Sequence, residues 1–317
     1  MLAEQRVGRF EVDLGQGGET TINTRLVPAN ALEPIPPLLF HPEVIDRSLW
    51  YGGKHWYTDI YEKYNFVFGA EVDDGGVSTI WWNTKAISLD EVRSWKSPWD
   101  LVSDRYKGKI IARDPLTPGA SQGILLQKLN PHMGEKWMRR FYADPKLDVF
   151  WTSDGSYITA AVSKGGRPLA FNIGSTELAD IRDLGGPVMD YPTLQEKEGL
   201  PSIGGRPHLT GNTSTNIWVG RNPPHKNAVK LFLNWLLSRE GQTVMHLTPE
   251  ASAVNPTDVH DNITLREDVT EWGLTDPQYR RKPGVKYATP RMEPKLRPKF
   301  EEAWEWMKKI HREGYRR

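Results

Sequence analysis

Pro223–Val244 reads PPHKNAVKLFLNWLLSREGQTV. Ala228, Leu231, Phe232, Trp235 and Leu236 recur at i, i+3, i+4, i+7 and i+8, and Leu233 and Leu237 widen the stripe. The spacing predicts a helix with one apolar side against a core. Asn227 offers a side-chain oxygen to the N–H groups of the first turn, and Gly241 predicts a stop or kink. Just upstream, Asn216-Ile217-Trp218-Val219-Gly220 reads as a short buried strand. By itself such a strand–turn–helix unit carries no function.

Working outward, 317 residues are enough for one large domain or two ordinary ones. A mean hydropathy of −0.58 and 26% charged residues predict a soluble globular protein. A net charge of +1 argues against general attraction to nucleic acid or anionic membrane. The absence of cysteine excludes disulfides, zinc–thiolate sites and cysteine nucleophiles. The eight histidines fall into neither H-x-x-x-H nor H-E-x-x-H, so no metal site and no cofactor is expected. No run approaches the roughly 18–20 apolar residues of a membrane span. The opening MLAEQRVGRF shows no apolar signal-peptide core.

Along the chain, apolar runs of strand length alternate with helical patterns. Residues 2–8 read as the tail of a helix and 10–14 as a strand. Gly15-Gln16-Gly17-Gly18-Glu19-Thr20-Thr21 follows. It either brings backbone N–H groups up to a ligand or is a plain strand–helix turn. It matches neither a P-loop nor a dinucleotide fingerprint. Strands are expected at 66–70, 77–84, 110–112, 149–151, 168–173 and 187–191. Helices are expected at 89–92, from Thr117-Pro118 to about 129, at 135–143, after Ser153-Asp154-Gly155-Ser156, and at 177–183. A polar loop is expected over 195–207 and two helices at 262–272 and 299–315. The alternation predicts α/β architecture with largely parallel sheets in two lobes.

The string P-H-x-N-A…K-L-F-x-N-W-L-L-S-x-E-G-Q resembles the late strand–helix unit of bacterial extracellular solute-binding proteins of family 1, in the branch of ABC importers that includes ferric-iron binders. Other stretches resemble the same family in the same order: E-V-D-L-G-Q-G-G with N-A-L-E-P-I, S-P-W-D-L-V with Y-K-G-K-I-I-A-R-D-P, and K-G-G-R-P-L-A. The resemblance implies a type II periplasmic-binding-protein fold, two α/β lobes of mostly parallel sheets with a ligand cleft between them. It implies a first lobe of residues 1–82 and 216–260 and a second of 83–215 and 261–317. The resemblance also implies a signal peptide and an opening strand–helix–strand ahead of Met1, hence a misplaced start. The ferric branch uses adjacent tyrosines, and no Tyr-Tyr pair occurs here, so an iron site of that type is not expected.

Placed in that fold, the cleft is lined by turns after strands and by helix N-termini. The candidates are Gly18, Glu19, Thr20 and Thr21; Trp81 and Asn83; Gly119, Ala120 and Ser121 behind Thr117; Trp151, Asp154 and Tyr157 beside Ser153; Phe171 and Asn172; and Asn212 and Thr213 before Thr215. Trp82 would face away from Trp81, since alternate strand side chains point oppositely. An aromatic with amides and hydroxyls suits a polar organic solute. The implied function is capture of a small solute by hinge closure and its delivery to an ABC permease in the inner membrane. That implies a monomer in the periplasm with no catalysis and no nucleic-acid partner. The alternatives are a carbohydrate hydrolase using carboxylates among Asp13, Glu19, Asp114 and Asp154, or a ligand sensor on the same fold.

Overall fold

The computed structural model describes residues 1–73, 80–117, 123–171, 173, 176–200, 202–204, 208–210, 215–247, 263–270, 281, 285–289 and 293–315. The chain divides into two units, Met1–Val72 with Leu209–Arg297, and Asp73–His208 with Pro298–Arg317.

The first unit opens with helix α1 (Leu2–Arg6), strand β1 (Leu14–Gly15), and α2 (Glu19–Thr21), which runs on as a π-helical turn over Ile22–Leu26. Strand β2 (Leu32–Glu33), helix α3 (Pro42–Ile45) and strands β3 (Trp56–Tyr57), β4 (Asn65–Val67) and β5 (Gly69–Asp73) follow. The second unit holds β6 (Ile80–Asn83), α4 (Leu89–Arg93), α5 (Pro98–Leu101), β7 (Ile110–Arg113), α6 (Ile124–Leu129) and α7 (Gly134–Ala143). It continues through β8 (Phe150–Thr152), α8 (Gly155–Ser163), β9 (Leu169–Phe171), α9 (Thr176–Asp183), β10 (Val188–Asp190) and α10 (Tyr191–Glu198). The chain returns through β11 (His208–Thr210) to β12 (Asn216–Gly220), α11 (Lys226–Leu236), α12 (Arg239–Leu247) and β13 (Ile263–Thr264). Helix α13 (Arg297–Gly314) packs on the second unit.

In the first unit, β12 lies between β1 and β4 and runs opposite to both, with β3 beyond β4 and β2 also paired to β12. Alternation along β12 sends Ile217 and Val219 into one core, against Phe66 of β4 and Val229, Leu233, Leu236 and Leu237. Trp218 points the other way, onto Ile22, Leu26 and Leu32. In the second unit the strand order is β10-β6-β9-β7-β8. One face carries Trp82, Trp95, Trp137, Phe141 and Phe171 under Met307 and Ile310 of α13. The other carries Trp81, Ile111 and Ala170 under Ile158, Val162 and Leu178. Helices on both faces of a sheet are the layering of an α/β fold.

The two-lobed α/β class stands, with several differences in detail. Parallel pairing joins β7 to β8 and β9, while the other described pairings are antiparallel. The cause is β12 and β6, each running against its neighbours. The unit boundaries also fall elsewhere than 82, 215 and 260. Strand β6 is hydrogen-bonded on both edges by β9 and β10, and β13 by β5 of the first unit. The segment expected as a helix over 262–272 thus contributes a strand. Residues 191–198 form a helix, part of it within the expected loop: Asp190 caps it by accepting from the Thr193 N–H at 2.9 Å, and Gly199 ends it at φ 66°.

Helix α11 buries Leu233, Leu236 and Leu237 as expected, but its face is turned away from Ala228, Leu231, Phe232 and Trp235. The buried residues are Val229, Leu233, Asn234 and Leu236, while Leu231, Phe232 and Trp235 are exposed. The buried apolar set also repeats at i, i+4, i+7 and i+8, so two stripes fit one helix. The cap position is His225, not Asn227. Gly241 lies inside α12, where a Cβ would come within 2.0 Å of the Trp235 carbonyl oxygen. Its lack of a side chain brings α12 against the end of α11.

Candidate functional site

Two helix starts hold the expected contact residues that face open space. In the first unit, β1 leads into the glycine turn. Gly15 lies across the Trp218 ring, where a Cβ would stand 2.5 Å from the indole. The Gly17 N–H donates to Asn216 Oδ1 at 3.4 Å. β12 therefore seats the turn, with Asn216 and Trp218 on one face of the strand. Gly18 is the N-cap of α2, has no side-chain cap, and has nothing within 4 Å of its Cβ position. The first-turn N–H groups of such a helix have no carbonyl four residues back and point outward from its start. Thr21 is exposed and Glu19 is buried; the Thr20 side chain lies outside the described residues.

In the second unit, β8 delivers Thr152 to the start of α8. Asp154 caps that helix by accepting the Tyr157 N–H at 3.1 Å, and the Asp154 N–H donates to Thr152 Oγ1 at 3.1 Å. Gly155, the first helical residue, has nothing within 4 Å of its Cβ position. Tyr157 is half exposed and stacks on Phe150, ring centroids 5.3 Å apart and 27° between planes. The Arg167 guanidinium lies 5.8 Å from the Phe150 ring centre. An open helix start beside an exposed aromatic pair offers N–H donors to an anionic or hydroxyl group and a flat face to a ring. Phe150 and Gly155 were not among the expected contacts. Their signal was faint: an aromatic opening a strand five residues before the first glycine of a capped helix.

Other expected contacts are spent on the fold. Trp81 and Trp82 face opposite sides of β6, as alternation requires, and both rings are core. Asn83 is saturated: its amide donates to the Val162 and Ser163 carbonyls at 2.9 Å, and its oxygen accepts from Lys85 and Ala86 N–H groups at 3.0 and 3.2 Å. Trp151 stacks on Tyr142 at 5.6 Å and meets His311 edge-on. Phe171 is buried against Trp137 and Phe141, at 5.4 and 5.0 Å. It cannot be truncated without opening a core. Thr215 donates its hydroxyl to the Gly69 carbonyl at 2.9 Å. Gly119, Ala120, Ser121, Asn172, Asn212 and Thr213 lie outside the described residues.

The carboxylates proposed for hydrolysis are likewise engaged. Asp13 accepts from the His225 main-chain N–H and lies 2.8 Å from its ring, and the hydrogen bonds with His225 hold its carboxyl below the usual range. Asp114 accepts the Leu116 N–H at 2.8 Å, and Asp154 is the cap. Among the described residues no cluster of His, Asp or Glu is arranged to hold a metal ion, and no helix is long and apolar enough to cross a membrane.

No family model and no curated protein matches the chain. Solved structures do. A substrate-binding protein of an ABC transporter from Agrobacterium tumefaciens is similar at a TM-score of 0.62 and 14% identity, over 98% of this chain and 81% of that one. The apo ferric ion-binding protein A of Pasteurella haemolytica is similar at 0.60 and 11% identity, over 99% and 86%. The periplasmic binding protein AfuA of Actinobacillus pleuropneumoniae, solved with fructose-6-phosphate, is similar at 0.55 and 14% identity, over 98% and 86%. At these identities the likeness speaks to architecture, and the architecture is that of the two-lobed periplasmic binding proteins of ABC transporters.

Proposed function

We propose that this chain is the solute-binding component of an ABC-type importer, acting in the periplasm by closing its two lobes on a small polar solute and presenting the closed form to a membrane permease. The observation that carries the reading is the match of nearly the whole chain to solved substrate-binding proteins. No catalytic step belongs to this reading. Ligand that touches both lobes favours the closed state by its differential affinity, and that difference is the whole mechanism.

The solute we propose is organic, with hydroxyl or anionic groups. The open starts of α2 and α8 support this, each presenting main-chain donors beside a glycine with free space above it. The Phe150–Tyr157 stack favours a ring over a compact ion. The test is a thermal-shift and calorimetry panel on protein freed of ligand by mild unfolding and refolding, covering sugars, sugar phosphates, polyols, amino acids and ferric citrate. A ligand at 100 times its dissociation constant adds about 2.7 kcal/mol of stability, a readily measured rise in melting temperature. Tyr157→Ala should weaken binding of the hit about tenfold or more with little change in the unliganded midpoint. Asp154→Ala should weaken it too, at a cost of about 1 kcal/mol for the lost cap. A panel without a hit removes the solute reading; a hit bound equally by both variants removes α8 from the site.

A further inference from the structure

The sheet of the second unit gathers lysines at one end. Strands β7, β8 and β9 run parallel, so the turns that enter them lie side by side. Antiparallel pairing of β6 with β9 and β10 brings the turn that leaves β6 and the turn that enters β10 to the same end. Main-chain hydrogen bonds tie these turns together. Gly108 N–H donates to the Leu147 carbonyl at 3.0 Å, Leu169 N–H to Lys109 at 3.1 Å, Asn83 N–H to Pro168 at 2.8 Å and Thr84 N–H to Pro187 at 3.0 Å. Four of the five turns carry exposed lysine: Lys85 behind β6, Lys164 ahead of β9, Lys107 and Lys109 ahead of β7, and Lys146 ahead of β8. Strands pair about 4.8 Å apart, so the five turns form a row about 20 Å long. The fifth turn, ahead of β10, carries Leu184, 88% exposed and followed by Gly185 at φ 79°. The carboxylates near the row are held by arginine. Asp148 lies 3.5 Å from Arg167, Asp183 2.8 Å from Arg182, Asp90 2.7 Å from Arg93 and Glu91 2.6 Å from Arg105, while Arg140 holds both Asp104 and Asp144. Among the described residues the five lysines enter no ion pair.

We propose that this end of the second unit docks on an anionic lipid surface. The division of labour among the cations points there. The planar forks of the arginines take the carboxylates, and the lysines remain as separate point charges on flexible stems. Five such charges spread along a row match a plane of spread negative charge better than they match one bound anion. A cluster of this size is what anionic headgroups attract, each lysine adding about fivefold in affinity. An exposed leucine at the end of the row suits the boundary between headgroups and acyl chains. The net charge of +1 conceals the row, because that sum runs over the whole chain while the field at a surface is local. The start of α8 lies beyond the other end of β8, and the proposal does not rest on the solute reading.

The test is co-sedimentation of the purified full chain with vesicles of phosphatidylcholine alone and of phosphatidylcholine with about one-third phosphatidylglycerol. Binding to the second kind only is expected, weakening as salt rises and the charges are screened. Lys85→Ala, Lys109→Ala and Lys164→Ala should each weaken it about fivefold, and the triple variant about a hundredfold. All three side chains are exposed, so the melting temperature should hold. Lys295→Ala with Lys299→Ala, which removes two exposed cations at the start of α13, should leave the affinity within about twofold. Leu184→Ser should weaken binding at every salt concentration, since the contact it removes is apolar. The proposal is overturned by a chain that binds neither vesicle or both equally, and by a loss from the Lys295 and Lys299 pair as large as that from two lysines of the row. Retention on immobilised polyglutamate without vesicle binding would assign the row to an acidic protein and overturn the lipid surface.

Discussion

At the scale of single residues, the second unit buries an imidazole. His311 of α13 is held by the Tyr142 carbonyl at 2.7 Å and packs on Trp151 and Tyr315. Burial pushes its pKa below the ordinary value, and the bond to Tyr142 opposes that. The folded state therefore binds fewer protons than the unfolded one. The stabilisation is complete above the unfolded imidazole value of about 6.5 and is lost as pH falls through the folded value. Urea midpoints should drop between pH 7 and pH 5, a window above most carboxylate titration. His311→Gln keeps a donor for Tyr142 and should make that drop smaller; an unchanged drop would clear His311 of the effect. Several aromatics and amides here were legible as residue types suited to a ligand. Their neighbours decided otherwise, since Asn83 spends all its hydrogen-bonding capacity on the last carbonyls of α8 and the turn after β6. A side chain's capacity is visible in the sequence, but its partners come from segments far away in the chain.

At the scale of elements, α11 shows how periodicity fails to choose. Its helical character follows from its spacing, and the structure has it from Lys226 to Leu236. The direction it faces follows from β12 and β4, whose Ile217, Val219 and Phe66 receive Val229, Leu233 and Leu236. Leu233→Ala should cost about 2–5 kcal/mol by urea unfolding. Leu231→Ala, measured in dilute solution, should stay within about 0.5 kcal/mol of the parent. Equal costs would return the helix to the face read from its sequence. Side-chain caps set the starts of other helices. Ser88 and Ser97 cap α4 and α5, the latter with a reciprocal bond from Ser97 N–H to Asp100, and Asp154 caps α8. Caps are legible because donor and acceptor lie within a few residues of each other.

At the scale of the whole molecule, the chain builds separate cores for its two units. Phe171 belongs to the second. Phe171→Ala should destabilise by about 3–5 kcal/mol. Hydrogen exchange should rise in β6, β7, β8 and β9 well before it rises in β4 and β12. Equal rises in both sets would mean that the units unfold as one. The alternation of strand and helix and the lack of thiol chemistry were set by the sequence. Those features depend on composition, on short-range periodicity and on the order of local motifs. Strand direction, the faces of α11 and β6, and the assignment of β13 to the first unit were decided only by tertiary structure. Each depends on hydrogen bonds or burial between residues far apart in the chain, and no local pattern carries that pairing.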